Sequence, residues 1–140
     1  MLRRQTITIY NLIKDKITSQ EDYNKIFVNN VYVDEQAGTN LKEIGVLDKY
    51  NVYFSIPYTE KYKNIKEYVN IPNYDKINFF TLQPKKTYII LGECPLNYSD
   101  FESKSDFLDA LSTYRQYLVQ TVDERYHGSK PRWHIEVGAV

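Results

Sequence analysis

Cysteine occurs once, at Cys94, so no disulfide can close within the chain. A reducing compartment is the expectation that follows. No apolar run approaches the roughly 20 residues of a membrane helix. The opening MLRRQTITIY has two arginines but no apolar stretch behind them, unlike a secretory leader. The five glycines are scattered, which removes a glycine-rich phosphate loop. No HExxH, CxxC or Gly-x-Ser-x-Gly string occurs. A charge excess is missing too: 18 Lys and Arg face 18 Asp and Glu. That balance argues against a dedicated DNA-coating protein, whose affinity comes mostly from neutralising phosphates, and leaves room for a local basic patch.

What is abundant is tyrosine, with 14 residues. Tyrosine suits pleated, half-buried surfaces and interfaces, where the ring packs and the hydroxyl stays wet. An AT-rich coding genome would raise it equally well. The length, 140 residues, fits one domain over 1–140 with a core of its own.

Period-two alternation dominates the chain. RQTITIY places Gln5, Ile7 and Ile9 on one face and Thr6, Thr8 and Tyr10 on the other, predicting a strand from Arg4 to Ile13. KDKITSQEDYN reads as a turn or loop. KIFVNNVYV changes parity at Asn29-Asn30, which reads either as a tight turn or, the favoured expectation, as a strand that bends at a bulge. Thr39 or Asn40 is placed to cap a helical turn before Gly45. NVYFSIPY points Val52, Phe54 and Ile56 one way, and Pro57 ends its ladder. A long polar loop spans 58–75, with a short helix expected around Asn64 to Tyr68. KINFFTLQ and TYIILGE read as two strands joined at Pro84-Lys85-Lys86. SKSDFLDALSTY is the best helix, within a short helical insertion over 100–114. Ser103 is its cap, and Phe107, Leu108 and Leu111 form its stripe. QYLVQTVDE and RWHIEVGA close the chain, with Trp133, Ile135 and Val137 on one face. The prediction is a mainly β fold: a small barrel or sandwich of about seven strands with one or two short helices.

Candidate chemistry is sparse. Asp123, Glu124 and His127 are close in sequence, but their spacing matches no metal-site class and reads first as a charged turn. His134 lies opposite the expected core, without a nucleophile or orienting carboxylate spaced for it. Cys94 has no histidine marked as its partner, so a small half-buried side chain is expected. No catalytic, cofactor or metal residue is assigned, and the chain is expected not to be an enzyme. Basic residues gather at Arg3-Arg4, at Lys85-Lys86 and at Arg125, Lys130 and Arg132. A nucleic-acid barrel of the OB kind would add aromatics on a strand face for base stacking, with Tyr53 and Tyr88 as candidates.

Three strings in order, RQTITIYN, FFTLQPKKTYIILGE and YLVQTVDERYHGSKPRWHIEVGA, resemble a family of small phage proteins. These are head–tail connectors of the head-completion or stopper type, from long-tailed phages of Gram-positive bacteria. The chain departs from the family pattern in carrying Trp133 before His134 and in having Lys85-Lys86 where Gly-Asp is usual. The resemblance implies a β-barrel that assembles with itself into a closed ring of roughly six or twelve copies. Its implied partners are portal or adaptor proteins and a tail terminator or tail tube, with non-specific contact to packaged DNA and no membrane. The implied location is the virion neck, after synthesis in the host bacterial cytoplasm. On this reading Arg125, Tyr126, His127, Arg132, Trp133 and His134 form an assembly interface. Tyr58, Lys61, Tyr62, Lys63, Lys66 and Tyr68 belong to a channel or gating loop. With Trp133 in the core, Trp133→Ala should cost about 3–5 kcal/mol. A tail terminator or an OB-like nucleic-acid barrel is the alternative.

Overall fold

A long antiparallel hairpin opens the computed structural model, which describes residues 2–15, 17–35 and 52–140. Its strands are β1 (Leu2–Lys14) and β2 (Glu21–Asp34). The turn between them is fixed by Asp15, whose carboxylate accepts the N–H groups of Ile17 (2.7 Å) and Thr18 (3.1 Å). These two bonds hold its pKa below the usual carboxylate range. β2 starts four residues before KIFVNNVYV, inside the stretch expected to be a loop. Its exposed Glu21 and Asp22 carry no apolar alternation to reveal a strand.

The expected bend is present. The β1–β2 register moves from Gln5↔Val31 to Ile7↔Val28, so β2 holds one extra residue, and Asn30 is left-handed (φ 61°). Asparagine tolerates that conformation better than most side chains. Across the bulge, Thr6 Oγ1 donates to Asn29 Oδ1 at 2.8 Å.

β3 (Val52–Pro57), β4 (Tyr88–Leu91), β5 (Gln116–Arg125) and β6 (His134–Ala139) complete the sheet. The order β1-β2-β3-β6-β5-β4 closes on itself as an antiparallel barrel. Inside lie Ile7, Ile9, Val31, Val33, Val52, Phe54, Ile56, Ile89, Val119, Ile135 and Val137. A second core forms outside the wall. There Tyr10, Tyr23 and Ile90 pack against Phe107 and Leu111 of α2 (Lys104–Leu111), with Cys94 fully buried between them. β1 is therefore buried on both faces between Ile7 and Asn11. Ser103 caps α2 as its sequence predicts, accepting from the Asp106 N–H at 3.1 Å. α1 (Ile65–Val69) begins at Asn64 with a reciprocal capping box to Glu67.

Among the described residues the barrel has six strands, because KINFFTLQ is not a seventh. Lys76–Asn78 form a 3-10 turn, and Phe80 makes only a single parallel bridge with Tyr62. Two buried asparagines, paired across β1 and β2, take over its backbone. Asn11 donates to the Thr81 carbonyl (2.6 Å) and accepts the Thr81 N–H (3.0 Å). Asn24 donates to the carbonyls of Lys76 (2.6 Å) and Phe79 (3.0 Å). The segment crosses one end of the barrel, placing Phe80 and Leu82 in the interior. The helical turn expected near Thr39 and Asn40 lies outside the described residues.

Asn11→Ala leaves the Thr81 peptide groups buried and unbonded, so it should cost about 2–4 kcal/mol in urea unfolding. Thr81→Val removes a buried hydroxyl that has no partner among the described residues. Its stability should be unchanged or about 1 kcal/mol higher. Burial also raises the Tyr10, Tyr23 and Tyr62 hydroxyls and pushes Tyr68 from 10.0 to about 12. A raised folded-state value means the native fold keeps a proton that the unfolded chain loses. Stability should therefore hold below about pH 10 and fall as pH rises through about 12. Urea midpoints at about pH 9 and about pH 11 test this.

Candidate functional site

Two clefts flank the hairpin, one near each end of β1. The first opens where β2 and β3 part. Their ladder stops at Tyr32↔Ser55, because the bulge turns β2 aside and Pro57 supplies no N–H. The cleft holds about 620 Å³ between Ile26–Asn30 on one side and Pro57, Tyr58, Thr59 and Lys61 with Pro131–His134 on the other.

At its rim three aromatic rings stack. Tyr58 meets Trp133 (5.4 Å, 77°) and Tyr126 (5.4 Å, 80°) edge-on, and Tyr126 lies against Trp133 at 5.1 Å. Trp133 Nε1 donates to the Gly128 carbonyl at 3.2 Å, which ties the ring to the 126–133 loop. Lys130 sits over Tyr58 (5.6 Å) and 3.7 Å from Glu60. Burial first, then the Glu124 carboxylate, raises the Tyr126 hydroxyl well above its ordinary value. Arg4 stacks on Tyr32 at 4.6 Å. Arg4, Lys61 and Arg132 line the cleft, and among the described residues none of them has an ion-pair partner and no carboxylate joins the lining. The result is a cationic, aromatic concavity.

Six residues singled out from sequence meet here: Arg4, Tyr58, Lys61, Arg132, Trp133 and His134. Tyr126 joins through the ring stack. Arg125 points elsewhere, binding Asp123 (2.8 Å) and Glu136 (3.5 Å) across the β5–β6 pair. His134 lies 3.2 Å from Glu136, and His127 is exposed on the loop. The 58–75 segment is less of a loop than its composition suggests. Tyr62 and Tyr68 are buried, Lys63 lies over Phe79 at 5.4 Å, and Lys66 is exposed on α1. Trp133 is the clearest correction. It precedes β6 and is half-buried in the ring stack, while Ile135, Val137 and Ala139 enter the barrel. Period-two alternation does not extend to Trp133, because the residue sits between the 3-10 turn Lys130–Arg132 and the start of β6 at His134.

The second cleft, about 990 Å³, lies at the far end of the hairpin among β1, α1, α2 and the Pro84–Lys86 turn. Leu12, Ile13, Val69 and Leu108 wall it, and Lys14, Lys85, Lys86 and Lys104 stand around it. Lys104 pairs with Glu21 at 3.4 Å, and Lys76 donates to Asn73 (2.8 Å) over the Tyr68 ring. Ile17, 93 % exposed, lies at its lip. Sequence reasoning marked Lys85-Lys86 but not this groove. The available signal was Ile17, an apolar residue in an otherwise polar turn.

Asp123, Glu124 and His127 do not converge. Among the described residues no three His, Cys, Asp or Glu side chains gather to hold a metal ion. The protein is a small closed antiparallel β-barrel flanked by two clefts. Residues 2–140 match DUF6751, a family of unknown function, and the chain belongs to that family. No curated protein and no solved structure matches it.

Because Trp133 is stacked outside the barrel, Trp133→Ala should cost about 1–2 kcal/mol, not the 3–5 expected of a core tryptophan. Chemical denaturation measures the difference. The variant should also lose most of the near-ultraviolet circular dichroism of the ring stack while keeping its far-ultraviolet spectrum.

Proposed function

We propose that this protein is a structural component of a phage neck, a stopper-type connector that assembles as a ring between portal or adaptor and tail. The observation that carries the reading is the placement of two dissimilar clefts at opposite ends of one rigid hairpin. Arg4 lines the aromatic cleft and Lys14 the lysine-rimmed groove, and the ten residue steps of strand from one to the other span roughly 33 Å. A connector needs one surface for the neighbour above and another for the neighbour below, held at fixed distance. A closed barrel sealed at one end by the Asn11 and Asn24 bonds supplies that rigidity. The three sequence strings that resemble stopper proteins lie in β1, in the segment up to β4, and in β5–β6, which together form most of the barrel wall.

A tail terminator would use the same features. A nucleic-acid barrel is favoured by a different observation, the cations Arg4, Lys61 and Arg132 around Tyr58 and Trp133. It would bind single strands with a steep salt dependence.

Deleting the reading frame from its phage and imaging the lysate tests the connector. Tailless heads that have lost DNA, beside free finished tails, are expected. Complete, infectious virions would overturn the proposal.

A further inference from the structure

Among the described residues, one edge of β2 is left partly open. β1 takes its first edge along the whole hairpin, but β3 covers the second only from Tyr32 to Asp34. Alternation along the ladders shows which peptide groups face the gap. The Gly92 N–H donates to the Thr6 carbonyl at 2.8 Å, so Thr6, and with it Thr8 and Tyr10, turn their peptide groups toward β4. Ile7, Ile9 and Asn11 turn theirs toward β2 and engage Val28, Ile26 and Asn24. Lys25 and Phe27, between them, aim their N–H and C=O groups at the second edge, and Asn29, where the bulge begins, aims its N–H there. No strand pairs with them there among the described residues.

This edge is roughly 16 Å long and borders the aromatic cleft. Asn24, bonded to Lys76 and Phe79, closes one end, and the Asn29–Asn30 bulge closes the other. Natural proteins commonly blunt such edges with a lysine. Here Lys25 leaves the edge clear, because its ammonium is held by the Cys94 carbonyl (3.3 Å) and lies over the Phe27 ring (5.4 Å). The surroundings are cationic, with Arg4, Lys61 and Arg132 lacking ion-pair partners among the described residues.

We infer that the open edge of β2 is a strand-addition site for an extended segment of a partner protein in which apolar residues alternate with Asp or Glu. The incoming backbone pairs with Lys25, Phe27 and Asn29. Its apolar residues lie against Ile26, Val28 and Phe80, and its carboxylates meet the cationic rim. Main-chain bonds supply affinity in this mode, and side-chain alternation supplies selectivity.

The test uses the whole protein and the peptide acetyl-Val-Glu-Val-Glu-Val-Glu-amide, read by residue-resolved amide hydrogen exchange. Saturating peptide should slow exchange at least tenfold at Lys25, Phe27 and Asn29, leaving Ile26 and Val28, already bonded to β1, unchanged. Phe27→Pro deletes one outward donor and should weaken binding at least tenfold. The surface pair Arg4→Glu and Arg132→Glu should do the same without touching the ladder, which keeps the test valid if the proline variant misfolds. The corresponding Val-Lys peptide should not bind. No added protection at millimolar peptide, equal binding of the lysine peptide, or preferential filling of the cleft by oligothymidylate with no effect of Phe27→Pro would each overturn the inference.

Discussion

Two asparagine side chains, facing each other across one rung of the hairpin, hold the chain's longest connection in place. Asn11 and Asn24 are register partners in β1 and β2, and both are buried. Each uses its amide as a substitute for a neighbouring strand. Between them they satisfy four peptide groups of Lys76, Phe79 and Thr81. A buried peptide group without a partner costs more than a formed hydrogen bond returns. Without these amides, a segment that has left regular secondary structure could not lie across a barrel end. With them, Phe80 and Leu82 stopper the interior, and Tyr62 and Tyr68 pack beneath the returning chain.

The same rung explains why the fold was legible and its details were not. Alternation in RQTITIY and NVYFSIPY, the parity break at Asn29-Asn30 and the Ser103 cap each report local chemistry, and each element formed. Burial of both faces of β1 also has a trace in the sequence, since Thr8 and Tyr10 alternate with isoleucines instead of with charged residues. KINFFTLQ misled because its β-prone residues are compatible with a strand, while the groups that capture its backbone lie 52 to 70 residues earlier in the chain. No window of local sequence contains that information.

For the aromatic cleft, residue type carried more than position. Tyr58, Arg132 and Trp133 stood out because aromatics and cations were concentrated in two turns, and the turns meet. Which rings touch, and that Trp133 faces outward, depended on where β6 begins. The 3-10 turn at Lys130–Arg132 sets that start. The open edge of β2 had no compositional signature. It exists because a bulge and a proline, on strands adjacent in the sheet, separate two ladders at the same level.

Closure of the barrel also governs when the protein can fold. β6 sits between β3 and β5, pairing Val52 with Ala139 at one end and Pro57 with His134 at the other. β1 waits for β4, some eighty residues downstream. During synthesis the hairpin can form early, but the edge of β3 stays exposed until β6 has left the ribosome. Folding dominated by such distant pairings is slow. A partially made chain offers the same unpaired peptide groups that the finished barrel conceals, so the interval between translation and closure is when self-association competes most strongly with folding.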